Sequence, residues 1–508
     1  IYQSQNIYNM SVSNIGKGAL ISYLSIFINI VISFVYTPWM IHKIGASHYG
    51  LYSLVIAFVS YFLLDFGLNT STSRFIAKYR AEGDEDGVAK MLGLTTKVYF
   101  IIDAVIFVTL FIMYFFIQNI FKGLTSNEIE TLRGIYIIAA IFSVLSFALK
   151  PIDGAMMAYE YFVPNKILDM IHRVGSVILI AVLLMIGGDV YSLVLVHCGT
   201  AFLSSLFKFI LFVRKSKLKI QWHFFDKSFL KILLSFSGWV FLTGLAQRFR
   251  LSFVPTVLGI QSNSSEIAIF SIGLTIEGFV WTISHALNGL FLPKVTRLSQ
   301  QSKDRKIISE LMIRVGRIQY YITLFLFSGF VFFGKKFVCC WVGEEFSNSY
   351  YVILFLIAPN IITTTQSIAS DVVYAENKVR FTASAIFVTS LIGLVGSLVV
   401  APYWGALGCA ACTSIVMFCY LFYVNLFYQK NLNLDIVTFF RQCHLLITLK
   451  MLFTLIVGIF LFLYIPVSGW GSFFLVVGVY SISFVLNAYF ISFNKEEKSI
   501  VINIIGRK

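Results

Sequence analysis

One feature repeats along the whole sequence: runs of about 20 apolar residues are separated by short polar segments. A helix of 20 residues is about 30 Å long, which matches the hydrocarbon thickness of a bilayer. Charged residues make up only 12% of the chain, whereas soluble domains carry roughly 25%. The runs therefore predict an all-α integral membrane protein and exclude a soluble fold.

The apolar runs predict fourteen transmembrane helices. The first six lie near 18–40, 49–70, 94–117, 134–154, 167–186 and 190–213, the next six near 232–257, 266–292, 314–334, 350–372, 381–401 and 404–427, and the last two near 446–465 and 471–493.

The basic residues are concentrated in alternate loops. With a cytoplasmic N-terminus, 32 of the 39 Lys and Arg residues fall in inward segments, and two more, Arg248 and Arg250, lie inside the seventh span. Cytoplasmic loops retain Lys and Arg, so this bias predicts that both termini are cytoplasmic. It also explains the net charge of +15 without a nucleic-acid partner. The outward loops hold only Lys43, Lys122, Arg133, Lys335 and Lys336.

Weak internal similarity indicates a duplicated bundle of six helices. Asn165-Lys166 recurs as Asn377-Lys378, and Tyr52-Ser53-Leu54 resembles Phe270-Ser271-Ile272, at similar shifts along the chain. Chance similarity among Phe-rich helices is the alternative, but the matching topology favours a repeat. The predicted domains are an N-terminal bundle (1–213), a cytoplasmic linker (214–231), a C-terminal bundle (232–427), and two further helices with a cytoplasmic tail (428–508).

Two arginines lie near the middle of the seventh span. An ionisable side chain near the bilayer centre costs about 2.5–3.5 kcal/mol even on a lenient scale, so each needs a partner, a hydrated cavity or a function. In an α-helix Arg248 and Arg250 would point about 200° apart. One interpretation is a buried ion pair with Glu277 of the eighth span. The other is that one guanidinium holds an anion, because its fork matches pyrophosphate oxygens.

Other polar residues recur at helical spacing within the spans. Such stripes either line a hydrated cavity or brace neighbouring helices, and the sequence leaves both roles open. One stripe lies on the second span, one on the eighth, and weaker positions lie on the seventh and tenth. The cavity-lining candidates are Tyr61, Asp65, Asn69, Gln247, Glu277, Trp281, His285, Asn288 and Asp371.

Signatures of catalysis or metal binding are weak. Asp84-Glu85-Asp86 has a metal-binding D-x-D form, but two glycines flank it in a solvated turn. Cys409 and Cys412 form a C-x-x-C inside a predicted span, without flanking polar groups. The sequence contains no Walker-type phosphate loop. We therefore predict no catalytic residue, metal or cofactor, and no enzymatic activity.

Two segments carry a family resemblance. Gly45–Tyr79 reads GASHYGLYSLVIAFVSYFLLDFGLNTSTSRFIAKY, and Ile276–Leu298 reads IEGFVWTISHALNGLFLPKVTRL. Both resemble Wzx-type polysaccharide flippases of the multidrug/oligosaccharidyl-lipid/polysaccharide exporter superfamily, and the likeness extends over nearly the whole chain. The resemblance implies two six-helix bundles in a V shape around a central, often cationic cavity, with two additional C-terminal helices.

The resemblance also implies a function. Such a flippase would move undecaprenyl-pyrophosphate-linked oligosaccharide repeat units from the cytoplasmic to the outer leaflet of the bacterial inner membrane, for O-antigen, capsule or exopolysaccharide synthesis. Arg248 or Arg250 would contact the anion, and Tyr61, Asn69, Trp281 and Asn288 would contact sugar. The expected partners are membrane lipid, the lipid-linked oligosaccharide, a polysaccharide polymerase and a chain-length regulator.

Three alternatives remain open. A drug/cation antiporter of the same superfamily would need a protonatable acid in its first bundle, for which Asp65 is available although the first span has no acid. A lipid II flippase would share the substrate chemistry. A membrane polymerase or O-acyltransferase would need a sizeable outer loop or a buried catalytic histidine, and His285 is the one midspan candidate.

The topology gives a direct prediction. Alkaline phosphatase fused after residue 123, 262 or 345 should be active, because these positions lie in outward loops, whereas fusions after 83 or 303 should be inactive. Green fluorescent protein at the same positions should give the opposite pattern. Phosphatase activity at 83 and 303 would mean that the orientation is inverted.

Overall fold

The computed structural model describes residues 2–61, 68–216, 221, 226–227, 230, 241–242, 244–246, 248–284, 291, 295, 297–299, 305–376, 378–467 and 469–499, without the side chains of 2–26, 70 and 162. The chain divides into two compact units, 1–268 and 269–508.

Every regular element among the described residues is helical. The helices that begin in the first unit are α1 (Tyr2–Ser60), α2 (Leu68–Ala81), α3 (Glu85–Ile120), α4 (Ser126–Phe147), α5 (Pro151–Ala158), α6 (Phe162–Met185), α7 (Val190–Ser216), a π-helical turn (Arg248–Ser252), α8 (Phe253–Gln261) and α9 (Ser264–Ser284).

The second unit is equally helical. It contains α10 (Arg305–Val342), a 3₁₀ turn (Glu344–Phe346), α11 (Ser349–Ile357), α12 (Asn360–Thr365), α13 (Ser367–Ala375), α14 (Val379–Asn431), α15 (Ile436–Phe439), a π-helical turn (Phe440–Leu445), α16 (Leu446–Lys450), α17 (Leu452–Tyr464), α18 (Trp470–Asn487) and a last π-helical turn (Ala488–Ser492).

Two of the longest helices are bent at glycines. Gly45 in α1 has φ 82° and Gly405 in α14 has φ 53°, which glycine adopts without the steric cost that a Cβ would bring. Gly45 falls between the first two predicted spans and Gly405 at the start of the twelfth, so α14 covers two predicted spans and α1 covers the first and half of the second. Beside the second bend, Tyr403 and Trp404 are 81% and 70% exposed, as in an aromatic belt at a membrane interface.

The described part of the chain contains nine helices long and apolar enough to cross a bilayer, or eleven if two sharply bent pairs each form one span. The first part of the seventh predicted span, 232–240, and positions 243 and 247 within it lie outside the described residues. The prediction of an all-α, multi-pass membrane protein is therefore confirmed. The count of fourteen helices and the limits of the four predicted domains stay predictions.

Three loops predicted to face outward meet at one end of the first unit. The Glu128 carboxylate accepts hydrogen bonds from Ser47 Oγ at 2.7 Å, from Ser264 Oγ, and from the Thr125 backbone N–H at 2.9 Å. A Cβ on Gly50 would lie 2.1 Å from the Ser264 carbonyl oxygen, so only glycine allows this close approach. The loops between spans 1–2, 3–4 and 7–8 therefore share one face, as the predicted alternation requires.

A buried ion pair joins the C-terminal segment to α10 in the second unit. Arg317 donates from Nε and Nη2 to the two carboxylate oxygens of Glu497, at 2.6 and 3.0 Å, and from Nη1 to the Gln442 carbonyl at 3.0 Å. Both charged side chains are less than a tenth exposed. Because both ions are desolvated, each depends on the other.

We predict that Arg317→Met lowers the free energy of unfolding by about 3–5 kcal/mol, because it leaves the Glu497 carboxylate buried without its partner. Arg314→Met is the matched control, since Arg314 pairs with Glu496 at 3.0 Å between the same elements but in the open, where such pairs contribute about 0.2–1 kcal/mol. Unfolding of purified protein in detergent measures both. Equal losses in the two variants would show that the pair does not anchor the segment.

Candidate functional site

Arg248 and Arg250 lie on a short π-helical turn, which connects directly to α8. Pro255 explains the local change, because its ring nitrogen cannot donate a hydrogen bond to the Leu251 carbonyl four residues earlier. Turns of this kind occur often at functional sites. The prediction that the two arginines point about 200° apart assumed α-helical spacing, so it does not apply within this turn.

The guanidinium of Arg248 contacts neutral oxygens in the first unit. Its Nη1 donates to Ser60 Oγ at 3.1 Å and lies 3.5 Å from Ser252 Oγ. Among the described residues of this unit, no carboxylate lies within ion-pair distance of the guanidinium, and no other acceptor engages it. Arg248 is only partly buried. The contacts of the described residues therefore position this guanidinium with hydroxyl oxygens, and its anion-binding role stays a prediction.

Tyr61 fixes the end of α1 against this turn. Its hydroxyl donates to the Ser252 carbonyl at 2.6 Å and contacts Thr256 Oγ1, while its ring stacks on Phe253 at 4.0 Å between centroids. Phe253 covers one face of the ring, and Phe58 packs against the ring at 5.6 Å between centroids. Tyr61 and Arg248 both lie beside Ser252, and a sugar contact of Tyr61 stays a prediction.

Asn69 lies at the packed contact of α2 with α5. A Cβ on Gly154 would come within 2.6 Å of Asn69 Oδ1, so the two helices are as close as glycine permits. Asn69 Oδ1 is buried and has no hydrogen-bond partner among the described residues. This polar atom lies between helices, and its role in the cavity stays a prediction.

The candidates of the second unit occupy different environments. Glu277 is buried and accepts a hydrogen bond from Asn360 Nδ2 at 2.9 Å. Trp281 is half-exposed, and Asp371 is buried on α13. An ion pair of either arginine with Glu277 would join the two units, and it stays a prediction. Four further candidates, Asp65, Gln247, His285 and Asn288, lie outside the described residues.

The D-x-D motif serves a helix terminus. Asp84 caps α3 by accepting a hydrogen bond from the Gly87 N–H at 2.8 Å, and Asp86 pairs with Lys90 at 2.5 Å. Asp86 also accepts a hydrogen bond from Gln221 of the linker. In this structure Asp84 therefore caps the N-terminus of α3, and Asp86 binds the linker segment at Gln221.

The sequence analysis missed a charged cluster inside the first unit. Lys208 on α7 donates to Asp169 on α6 at 2.7 Å and to Asp153 on α5 at 3.2 Å. The Lys208 side chain is only 11% exposed. The signal in the sequence was the position of this lysine inside the predicted span 190–213, where an ionisable side chain needs a partner.

A buried carboxylate on α3 was also missed. Asp103 is 7% exposed, and its Oδ1 is buried without a hydrogen-bond partner among the described residues. Tyr99 packs on Phe147 at 5.3 Å, and Tyr136 donates to the Leu110 carbonyl, so Asp103 lies in the middle of the α3–α4 contact. The signal in the sequence was the only acid within the span 94–117.

These two acids should respond differently to neutralisation. Asp169→Asn should lower the free energy of unfolding by about 1–3 kcal/mol, because the buried Lys208 ammonium loses a charged hydrogen-bond partner. Asp103→Asn should leave stability unchanged or raise it, since a neutral amide is cheaper to bury than a carboxylate without a partner. Unfolding in detergent checks both. A loss for Asp103→Asn as large as that for Asp169→Asn would assign Asp103 a structural role.

Solved structures of membrane transport proteins share this fold. The structure titled "Lipid II flippase MurJ, inward closed conformation" matches with a TM-score of 0.70 and 15% identity, over 96% of this chain and 99% of that one. An inward-facing multidrug resistance MATE family transporter of the MOP superfamily matches with a TM-score of 0.64 and 14% identity, over 79% and 94%. Its outward-facing counterpart gives 0.53 and 14%, over 82% and 96%. At these identities the likeness concerns the fold alone.

The family assignment comes from sequence. No match was found among curated protein sequences. The family model described as "Polysaccharide biosynthesis protein" matches residues 15–289. This match includes both arginines of the π-helical turn and covers more than half of the chain, so the chain belongs to the polysaccharide biosynthesis protein family.

Proposed function

We propose that this protein is a flippase that moves undecaprenyl-pyrophosphate-linked oligosaccharide repeat units from the cytoplasmic to the outer leaflet of the bacterial inner membrane. The units would then enter O-antigen, capsule or exopolysaccharide synthesis. The family description supports a place in polysaccharide biosynthesis. The fold shared with a lipid II flippase and with transporters solved in inward- and outward-facing conformations supports transport by alternating access.

The environment of the Arg248 guanidinium is the main support for this proposal. Its guanidinium donates to the neutral oxygen of Ser60, lies beside Ser252, and is only partly buried, without a carboxylate neighbour in the described part of its unit. An arginine that served only to brace helices would be neutralised by a nearby acid, as Arg317 is by Glu497. A guanidinium held by hydroxyls retains its charge and its remaining donors for the oxygens of a pyrophosphate.

The three parts of the substrate have separate requirements. The oligosaccharide needs hydrated, hydrogen-bonding surroundings, which Tyr61, Asn69, Trp281 and Asn288 would supply. The pyrophosphate needs Arg248 or Arg250, and the polyprenyl chain can stay in the surrounding lipid. In this account the protein performs no covalent chemistry, and a polymerase and a chain-length regulator would act on the exported units.

A second candidate function rests on Asp103. A drug/cation antiporter needs a protonatable acid in its first bundle, and Asp103 is a buried carboxylate within α3.

A lipid II flippase would use the same arginine contact as the proposed oligosaccharide flippase, because lipid II also carries a polyprenyl pyrophosphate. The proposed oligosaccharide flippase and a lipid II flippase are distinguished by which lipid-linked sugar accumulates when the protein is lost.

Deletion of the gene tests the proposed function in cells. The expected result is accumulation of lipid-linked repeat units on the cytoplasmic leaflet, measured with an impermeant glycan label in inside-out and right-side-out vesicles. Accumulation of lipid II instead would identify the alternative flippase. Unchanged distribution of both lipids, together with loss of drug resistance, would identify the antiporter.

Substitution of the arginines tests the anion contact. Arg248→Ala should reduce flipping about 10- to 100-fold, because a hydrogen bond to a charged group contributes about 1.5–3 kcal/mol. Arg248→Lys should retain part of the activity, since it keeps the charge but not the planar fork. Arg314→Ala is the control, because it removes an equal charge from the exposed Glu496 pair.

The comparison with Arg250 completes this experiment. Normal flipping by Arg248→Ala, by Arg250→Ala and by the double variant would remove the anion site. If instead Asp103→Asn alone abolished transport and the arginine variants were active, the antiporter would be the better account.

A further inference from the structure

A crevice runs between α6 and α7 of the first unit. Its volume is about 180 Å³. On each helix the lining positions recur at spacings of three and four residues, so they form one face. Those on α6 are Leu168, Ile171, His172, Gly175, Ser176 and Leu179, and those on α7 are Thr200, Leu203, Ser204 and Phe207.

The middle of the crevice is open because of a glycine. A Cβ added to Gly175 would find no atom within 4 Å. The rim is formed by Ile171, Leu203 and Phe207, which are about half exposed. In a membrane protein, exposed apolar side chains of this kind face the hydrocarbon, so the crevice opens toward lipid.

Polar groups lie along the floor of this lipid-facing crevice. His172 Nδ1 is buried and has no hydrogen-bond partner among the described residues, and Ser204 lies opposite on α7. Polar atoms that face hydrocarbon are costly without a partner. The crevice therefore suits an occupant with an apolar chain and with oxygen atoms near one end.

One end of the crevice is strongly basic. The Lys208–Asp169 bond joins α7 to the beginning of α6, and Lys215 lies 4.7 Å above the Tyr161 ring. The end of α7 is thus adjacent to the start of α6. The exposed cations at this end are Lys166, Arg173, Arg214 and Lys215. Asp153 and Asp169 are engaged by Lys208, and the exposed acids nearby include Glu160 and Glu85, the latter against Tyr159.

We propose that the α6–α7 crevice binds one acyl chain of an anionic phospholipid, with the lipid phosphate against Lys166 and Arg214. Basic sites between transmembrane helices bind anionic lipid headgroups at the cytoplasmic surface. The predicted topology places this end of both helices at that surface. His172, less than two turns beyond Lys166, lies nearest to the ester oxygens of the lipid, and Ser204, nearly three turns before Arg214, lies deeper along the acyl chain.

The length of the crevice selects a phospholipid over the polyprenyl carrier. Leu168 and Leu179 are eleven residues apart, which corresponds to about 16 Å along a helix. Half of a 30 Å hydrocarbon core is about 15 Å, the depth of one leaflet. A phospholipid acyl chain fills that depth, whereas an eleven-isoprene chain is several times longer. The inference therefore does not depend on the proposed transport substrate.

Binding can be measured by native mass spectrometry of the full-length protein in neutral detergent. Phosphatidylglycerol should bind at least tenfold more tightly than phosphatidylcholine with the same acyl chains. Gly175→Leu, which fills the crevice, and Lys166→Ala/Arg214→Ala, which removes the cations, should each weaken phosphatidylglycerol binding at least tenfold.

Matched controls lie in the second unit. Gly478→Leu adds the same side chain at a helical glycine that also faces open space. Lys430→Ala/Arg441→Ala removes two exposed cations that the topology places on the same membrane face. Neither control should change phosphatidylglycerol binding by more than twofold. Ser204→Leu fills the crevice from the α7 side. It replaces Gly175→Leu in the experiment if the melting temperature of Gly175→Leu, measured without lipid, is below that of the wild type.

Three results would overturn the proposal. Equal affinity for the two phospholipids would remove the basic headgroup site. Unchanged binding after the crevice is filled would place the lipid elsewhere. Displacement of phosphatidylglycerol by a lower concentration of polyprenyl phosphate would assign the crevice to the carrier lipid.

Discussion

The free-energy cost of leaving a charge without a partner inside a membrane governs this structure. Several ionisable groups in the described spans meet that cost through close partners: Lys208 lies between two aspartates, Arg317 binds both oxygens of Glu497, and Glu277 accepts a hydrogen bond from an amide. These groups join helices that would otherwise be held by apolar packing alone. Their contacts explain why charged residues persist in a chain with so little charge.

Arg248 and Asp103 depart from that pattern. Arg248 is held by hydroxyl oxygens, and Asp103 has a carboxylate oxygen without a hydrogen-bond partner in the described part of the chain. Neither arrangement maximises stability. In the proposed function an anion completes the environment of Arg248, whereas in the competing antiporter a proton or cation would complete that of Asp103.

Much of the fold follows from the sequence because span length is set by bilayer thickness, which requires no knowledge of tertiary contacts. The boundaries between consecutive spans near Gly45 and Gly405 were predictable because bilayer thickness limits the length of each span. The π-helical turn at Arg248 was not, since helical periodicity assumes a uniform rise and gives no warning of the shift before Pro255. Asp169 and Asp153 reach Lys208 from separate helices, and such pairing cannot be read from spacing in one sequence.

We propose that this protein carries a pyrophosphate-linked glycolipid across the bilayer. Purified protein in liposomes, supplied with undecaprenyl-pyrophosphate oligosaccharide in one leaflet, tests it directly when the exposed fraction is followed over time with an impermeant glycosidase. The account predicts protein-dependent, saturable appearance of substrate in the opposite leaflet, with inorganic pyrophosphate acting as a competitor at the Arg248 site. Movement no faster than in protein-free liposomes would contradict it.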